Sequence, residues 1–173
     1  RDDVTWHNGD PFTAADVKYT YERAATDESL AENHIFKVIK EVQIIDDYTV
    51  RFATDGPYPT LLSLLSKNGS QVMPSKYIEE NGLDYYLEHP IGCGPYQFKE
   101  WVKDNVVVLE RYDDYFGGTP YWDEVRFRAI PEASTRVAEL LTGNVDIIVN
   151  VPTNEWDRIN TEEKTDMVLG NGT

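Results

Sequence analysis

The sequence predicts a mixed α/β fold in which helices and small sheets alternate along the chain. Three observations support this prediction: an amphipathic helix follows Thr13, two β-hairpin patterns lie at 38–53 and 96–112, and a strand–helix–strand pattern lies at 124–149. Apolar residues recur at helical spacing in the first pattern and cluster in β-branched or alternating runs in the others. We therefore expect mixed sheets with flanking helices.

Composition narrows the class of protein. The 173 residues are 40% hydrophobic and 27% charged, which is typical of a globular chain. The formal net charge is −15, from 16 Lys and Arg against 31 Asp and Glu. Nucleic acid as a partner is excluded, because it requires a basic surface. The acidity is interpreted as a solvated surface, although it also fits a cationic ligand or an extracellular setting.

The first helix has well-formed start signals. The run from Asn8 to Pro11 is typical of a tight turn. Thr13 is then a hydroxyl N-cap, and Asp16 stands three residues later, as in a capping box. An apolar stripe at helical spacing follows: Ala14, Val17, Tyr21, Ala24 and Ala25. His7 is interpreted as a turn or packing histidine rather than a ligand.

The next elements are a hairpin and short helices. Two β-branched runs between Val38 and Ala53 surround a polar turn at Asp46 and Asp47. Four leucines in Thr60–Lys67 predict a short buried helix. Another helix is predicted from Ser75, a plausible cap, to Gly82, where a glycine stops it.

A domain boundary is predicted near Glu88. Residues 85–87 have no clear preference, and Gly92, Gly94 and Pro95 permit a crossover between lobes. The division is residues 1–88 and residues 89–173.

The second half predicts another hairpin and then a βαβ unit. Strands at 96–101 and 106–112 are joined by a polar turn and followed by an acidic, aromatic loop at 113–118. That loop lacks the alternating ligands of an EF-hand, which disfavours calcium. Glu124–Ile130 alternates as a strand, and the helix after Pro131 ends at Gly143, with Glu132 and Arg136 as a supporting ion pair. Val145–Val149 is almost continuously apolar, as in a strand buried on both faces.

Catalytic and cofactor motifs are lacking in the sequence. Cys93 is the only cysteine, and pairing it with His89 as a nucleophile is disfavoured because nothing else resembles a thiol enzyme. The three histidines are scattered, and neither phosphate-binding glycine motif occurs. We therefore expect no catalytic residues, no metal and no cofactor. A hydrolase acting on peptides or glycosides is kept as an alternative, as is an acidic extracellular adhesion module.

Three stretches in order resemble the family 5 solute-binding proteins of peptide and nickel ABC importers. They are Thr5–Arg23 (TWHNGDPFTAADVKYTYER), Pro90–Trp101 (PIGCGPYQFKEW) and 111–149, which contains YFGGTPYWDE. The family usually has Asp where Asn8 stands and Thr where Cys93 stands. The resemblance implies a partial periplasmic-binding-protein type II fold, with both ends truncated from a longer chain. It also implies that residues 1–88 form a small accessory domain and that residues 89–173 form part of the ligand-binding, transporter-facing lobe.

The resemblance also implies a function without catalysis. A protein of this kind captures a peptide or related small solute between two lobes and delivers it to the ABC permease, at the periplasmic or extracytoplasmic face of the membrane, often as a lipoprotein. Ligand identity and lipid anchoring are left open. Open sheet edges in a truncated chain further predict edge-mediated self-association.

Candidate ligand-binding residues follow the last predicted strand. In open α/β sheets, ligands collect beyond the carboxyl ends of strands, which is where Asn150 falls. Its amide can both donate and accept, as a peptide backbone requires. A turn asparagine is the equally weighted alternative. The resemblance supports Val149, Asn150 and Val151 as ligand-proximal, and adds the loop that contains Asn33 and His34, for which no motif matches residue by residue.

Overall fold

The order of helices and strands follows the prediction over most of the chain. The computed structural model describes residues 1–67 and 69–168. The helices in this part are α1 (Ala14–Thr26), α2 (Asn33–Phe36), α3 (Leu61–Leu65), α4 (Ser75–Asn81), α5 (Leu83–Glu88), α6 (Ala133–Leu141) and α7 (Trp156–Thr161), the last preceded by a 3-10 turn at Thr153–Glu155. The strands are β1 (Ile39–Asp46), β2 (Thr49–Thr54), β3 (Tyr96–Val102), β4 (Val106–Arg111) and β5 (Glu124–Arg128). The mixed α/β class is confirmed.

The strands form two small sheets. Strands β1 and β2 pair antiparallel, with Val42 opposite Phe52 and with irregular register near both ends. Strands β3, β4 and β5 form the second sheet, in that order. Both predicted hairpins are therefore confirmed. The tight turn of the second is completed by Asp104, whose φ of 59° lies in the left-handed region that Asp tolerates better than most residues.

The chain divides into two compact units. Unit 1 is Arg1–Lys99 with Val108–Val125, and unit 2 is Glu100–Val107 with Arg126–Thr173. The boundary predicted near Glu88 concerns the lobes of a two-lobed protein, and it stays a prediction.

The core of unit 1 lies between α1 and the first hairpin. Its buried residues are Tyr21, Phe36, Ile39, Val42 and Leu64. The Tyr21 ring meets the Phe52 ring edge-on at 5.3 Å between centroids, and its hydroxyl donates to the Ser70 carbonyl at 2.8 Å. The predicted stripe of α1 is confirmed, because its members are buried or packed against this cluster.

One buried carboxylate joins three separate segments of unit 1. Asp16, only 3% exposed, accepts hydrogen bonds from the Trp6 indole at 3.3 Å and from the Thr13 backbone at 2.9 Å. Its other oxygen accepts from the Ser75 backbone at 2.8 Å and the Ser75 hydroxyl at 2.7 Å. The predicted capping box is confirmed. The same carboxylate also fixes the start of α4, which the sequence did not indicate.

A histidine holds the glycine loop that precedes β3. The Gly92 N–H donates to His7 Nδ1 at 3.1 Å, so the ring proton lies on Nε2, which donates to the Gly94 carbonyl at 3.0 Å. The ring also lies 4.8 Å from that of Tyr112. His7 is thus a packing residue, as interpreted from the sequence. Partial burial lowers the pKa of His7, although its bond to the Gly94 carbonyl opposes this shift.

Unit 2 has a small buried core. Val137 on α6 and Ile159 on α7 are its fully buried apolar side chains among the residues the structure describes. Helix α6 ends as predicted, since Gly143 follows it with a φ of 74° and donates its N–H to the Leu140 carbonyl. Strand β5 ends at Arg128, two residues before the predicted end, and Phe127 is exposed rather than inward-facing.

The strand predicted at Val145–Val149 is wrong. These residues are irregular, and Ile147 and Val149 are 81% and 68% exposed. An apolar, β-branched run becomes a strand only where a neighbouring strand supplies its hydrogen bonds. Within the described ranges no strand pairs with it. A strand-like pattern at 167–169 in the sequence reaches beyond the described residues, and Met167 and Val168 are irregular.

Three smaller expectations also need correction. Ser75 is the first helical residue of α4 rather than its cap, because its side chain and N–H serve Asp16. Residues 85–87 lie in α5, where the rings of Tyr85 and Tyr86 pack against Tyr77 of α4. Arg136 does not pair with Glu132, because its guanidinium donates to backbone carbonyls instead.

None of the described helices has the length and apolar character needed to cross a membrane.

The role of Asp16 yields a stability prediction. We expect Asp16→Ala to lower the free energy of unfolding by at least about 3 kcal/mol, because buried donors on Trp6 and Ser75 lose their acceptor. Asp16→Asn, which keeps one oxygen, should cost less. Urea unfolding followed by circular dichroism measures both.

The control is Glu79→Ala on exposed α4 surface, which should change stability by less than about 0.5 kcal/mol. A loss for Asp16→Ala no larger than that of this control would contradict the role given to Asp16.

His7 yields a pH prediction. Its folded pKa is lower than the unfolded value of about 6.5, so its contribution to stability is complete above about pH 6.5 and declines as pH falls toward the folded pKa. Protonation places a hydrogen on Nδ1, which ends its acceptance of the Gly92 N–H. We expect the free energy of unfolding of the wild type, relative to that of His7→Gln, to decline as the pH is lowered from 8 to 5. Taking this difference removes the titration of all other groups, since both proteins share them. Urea unfolding at each pH measures it. A pH-independent difference would sink the prediction.

Candidate functional site

Asn150, the central residue of the predicted site, lies in unit 2. Its φ of 57° is left-handed, a region in which asparagine is enriched over most other residues. It is exposed, and among the described residues its side-chain amide makes no hydrogen bond. The preceding Val149 is exposed as well. The amide is therefore free to donate to and accept from a ligand.

Arg136 fixes the position of Asn150. From the first turn of α6 its Nη1 donates to the carbonyls of Ile130 at 2.9 Å and Pro131 at 2.8 Å. Its Nη2 donates to the Asn150 carbonyl at 3.2 Å. One planar guanidinium thus ties the end of the β5 connection to the end of the apolar segment, and its fixed fork limits how the two move relative to each other.

Val151 is anchored from the other side. Its carbonyl accepts the indole N–H of Trp156 at 3.2 Å, so the backbone on both sides of the Asn150–Val151 peptide is held. Val151 is half-buried, whereas Val149 and Asn150 face solvent. The three predicted residues are therefore contiguous, with two accessible side chains.

Asn33 and His34 lie in unit 1, at the start of α2. The Asn33 side chain is buried and donates to the Ala24 carbonyl at 3.0 Å, which ties α2 to the end of α1. His34 is exposed, and its Nδ1 lies 2.9 Å from the Ala31 carbonyl. The Asn33 amide is used inside the fold, which leaves the His34 ring as the accessible group. A ligand-binding role for this pair stays a prediction.

Cys93 lacks the surroundings of a nucleophile. Burial raises the pKa of its thiol, which favours the unreactive protonated form. The His89 ring stacks on Tyr85 at 4.3 Å, and its Nδ1 lies 3.2 Å from the Tyr85 carbonyl. Among the residues that the structure describes, no group of three or more His, Cys, Asp or Glu side chains could hold a metal ion.

A groove in unit 1 was not foreseen from the sequence. Its volume is about 350 Å³, and its lining is largely apolar: Arg1, Val4, Phe12, Thr13, Ala14, Val17, Tyr48, Val50, Cys93 and Phe116. These residues come from several separate stretches of the chain. No local pattern could therefore have indicated that they meet.

Comparison with known proteins shows one family. The family described as bacterial extracellular solute-binding proteins, family 5 Middle, matches residues 1–173. The oligopeptide-binding protein AppA of Bacillus subtilis is 35% identical over 161 residues, which is 88% of this chain and 29% of that protein.

Two solved structures illustrate the shared fold. NikZ from Campylobacter jejuni, in complex with Ni(L-His), has 27% identity and a TM-score of 0.83 over 94% of this chain and 33% of its own. The ABC transporter-associated periplasmic binding protein DppA from Helicobacter pylori, in complex with the peptide STSA, has 28% identity and a TM-score of 0.82 over 94% of this chain and 36% of its own. The chain thus spans about a third of the length of these relatives.

The Arg136 contacts yield a prediction for unit 2. We expect Arg136→Gln to lower the free energy of unfolding by about 1.5–3 kcal/mol, the usual range for charge-assisted hydrogen bonds. Denaturant unfolding of the wild type and the variant measures this loss.

Arg158→Gln is the matched control. Arg158 pairs with Glu155 at 3.3 Å on an exposed surface, where ion pairs contribute less than about 1 kcal/mol. Equal stability losses in the two variants would show that the Arg136 contacts do not hold the segment.

Proposed function

Because this chain belongs to the bacterial extracellular solute-binding proteins of family 5, we propose that it is part of a receptor that captures peptides, or a related small solute, for an ABC importer. The observation that supports peptides is the Asn150 amide, which is held at a fixed backbone position and left without a partner in the described chain. Amides bind peptide backbones through paired donor and acceptor groups. The named relatives AppA and DppA are an oligopeptide-binding protein and a peptide complex.

The proposed mechanism is capture by closure of two lobes. A ligand that contacts both lobes stabilises the closed form, because those contacts exist only when the lobes meet. Backbone hydrogen bonds would supply most of the specificity, with Val149 and Asn150 as proposed contributors. A permease recognises the closed form outside the cytoplasmic membrane, where a lipid anchor would keep the receptor. We place the lobe boundary near Glu88.

A hydrolase is the second candidate, and it has less support. The relatives AppA and DppA are named as binding proteins. The raised pKa of Cys93 and the engagement of His89 with Tyr85 give a thiol mechanism no base. An adhesion module is disfavoured too, because it does not account for the family match.

The test is thermal unfolding of the whole protein that contains this chain, with and without a pool of di- to hexapeptides. Ligand that binds only the folded state raises the melting temperature, by the equivalent of about 2.7 kcal/mol at a hundred times Kd. Mass spectrometry of the pool afterwards separates binding from hydrolysis. Peptides recovered intact after a rise establish a receptor, consumed peptides establish the hydrolase, and the absence of a shift excludes peptides.

Asn150→Gly tests the binding residue. Glycine removes the amide and tolerates the left-handed φ, so the unliganded protein should stay stable while the peptide-induced shift shrinks. Asn154→Gly, an exposed asparagine in the same unit, is the control and should retain the full shift. A shift unaffected by Asn150→Gly would remove Asn150 from the site.

A further inference from the structure

Strand β1 has an edge that faces helix α1 rather than another strand. Among the described residues its partner strand is β2, on the opposite side. An unpaired strand edge is a template for pairing with another chain. The sequence of β1, IKEVQIID, is also rich in the β-branched residues that pair readily. An exposed edge of this composition would therefore favour association unless something closed it.

Two side chains of α1 use the backbone of Val42, in the middle of β1. The Val42 N–H donates to Glu22 Oε1 at 3.1 Å, and Lys18 Nζ donates to the Val42 carbonyl at 3.0 Å. In an antiparallel strand the N–H and carbonyl of one residue point to the same side, so an incoming strand would bond these same two groups. Both are already satisfied by α1.

The two side chains also bond each other. Lys18 Nζ lies 2.7 Å from Glu22 Oε1, as an i,i+4 ion pair. Lys before Glu is the less favourable order for the stability of a helix. Both side chains are more than a third exposed, where an ion pair contributes little. Contact with β1 therefore accounts for the pair better than support of α1 does.

Helix α1 does not fill the space beside β1. A groove of about 490 Å³ lies between α1 and the first residues of β1, and its lining includes Glu22, Ile39 and Lys40. Glu22 contacts this groove and the Val42 backbone at once. Replacing it with a small side chain would extend the groove to Val42.

We propose that the Lys18–Glu22 pair blocks the β1 edge against pairing with β1 of a second copy of the protein, and that its loss turns this edge into a dimer interface. A second copy fits because two identical edges can pair antiparallel around a two-fold axis, each satisfying the two free groups of the other. The self-association predicted from open sheet edges is thus opposed at β1. The proposal is independent of the ligand and of the importer.

The variant Lys18→Ala/Glu22→Ala in the whole protein that contains this chain tests the block. Alanine is the strongest helix former, so α1 should persist while both contacts with Val42 are lost. Because each copy then gains two backbone hydrogen bonds on pairing, we expect self-association at least about tenfold tighter than in the wild type. Sedimentation velocity over a concentration series measures it, and an unchanged association constant overturns the proposal.

Lys37→Ala/Glu28→Ala is the matched control. It removes an ion pair of the same charges, 3.1 Å apart and exposed, from another place in unit 1. The net charge changes in neither variant, and this control should associate as the wild type does. Equal gains in both variants would assign the effect to lost surface charge and would overturn the block.

Hydrogen exchange at Val42 separates a block from a general loosening of the fold. At low protein concentration the Val42 amide of Lys18→Ala/Glu22→Ala should exchange at least about tenfold faster than in the wild type, and its protection should return as the concentration rises. Fast exchange at every concentration would show that the pair only stabilises the fold. Protection that returns only with an added peptide pool would assign the opened edge to extended peptides. Either result overturns the proposal.

Discussion

The Asp16 carboxylate is the constraint on which the arrangement of unit 1 depends. A buried charge is costly unless its oxygens are hydrogen-bonded, and here four neutral donors satisfy them without an ion pair in the described chain. Those donors come from the segment before α1, the cap of α1 and the start of α4. Because each donor would be unsatisfied without the carboxylate, the three segments are fixed together rather than one by one.

The local half of this network could be predicted from the sequence, and the distant half could not. Thr13 and Asp16 stand three residues apart, so the capping box is a matter of spacing within one helical turn. Ser75 is 59 residues away from Asp16, and no period or turn signal connects them. Its hydroxyl type even misled the prediction, since a serine before a helix indicates a cap. The hydrogen bonds of His7 with Gly92 and Gly94 could not be predicted either, because these residues are distant from His7 in sequence and the predicted domain boundary separates them.

The failure at Val145–Val149 has a different physical origin. Apolar, β-branched composition indicates that a segment requires burial and a hydrogen-bonded neighbour, but it does not indicate which residues supply them. The β1–β2 hairpin supplies its own neighbour within two residues of turn, and both hairpins were predicted. The segment at 145–149 has no such neighbour among the described residues. Its composition therefore matches that of a β-strand, although the segment is irregular in the structure. Asn150 was identified by this argument, yet its left-handed backbone and the Arg136 contacts could not be.

The two units differ in how completely each buries its apolar side chains and pairs its backbone polar groups. Unit 1 has a contiguous aromatic and aliphatic core, and its buried polar groups are paired. Unit 2 keeps Asn150 in place through Arg136 and Trp156 while leaving the adjacent backbone open. Anchoring the proposed binding residue by its carbonyl rather than by its side chain leaves the amide available, because backbone contacts fix position without using the groups that would recognise a ligand. Ordering of this backbone during folding is not a cost at the moment of binding, so a held Asn150 would favour ligand capture without any additional ligand contact.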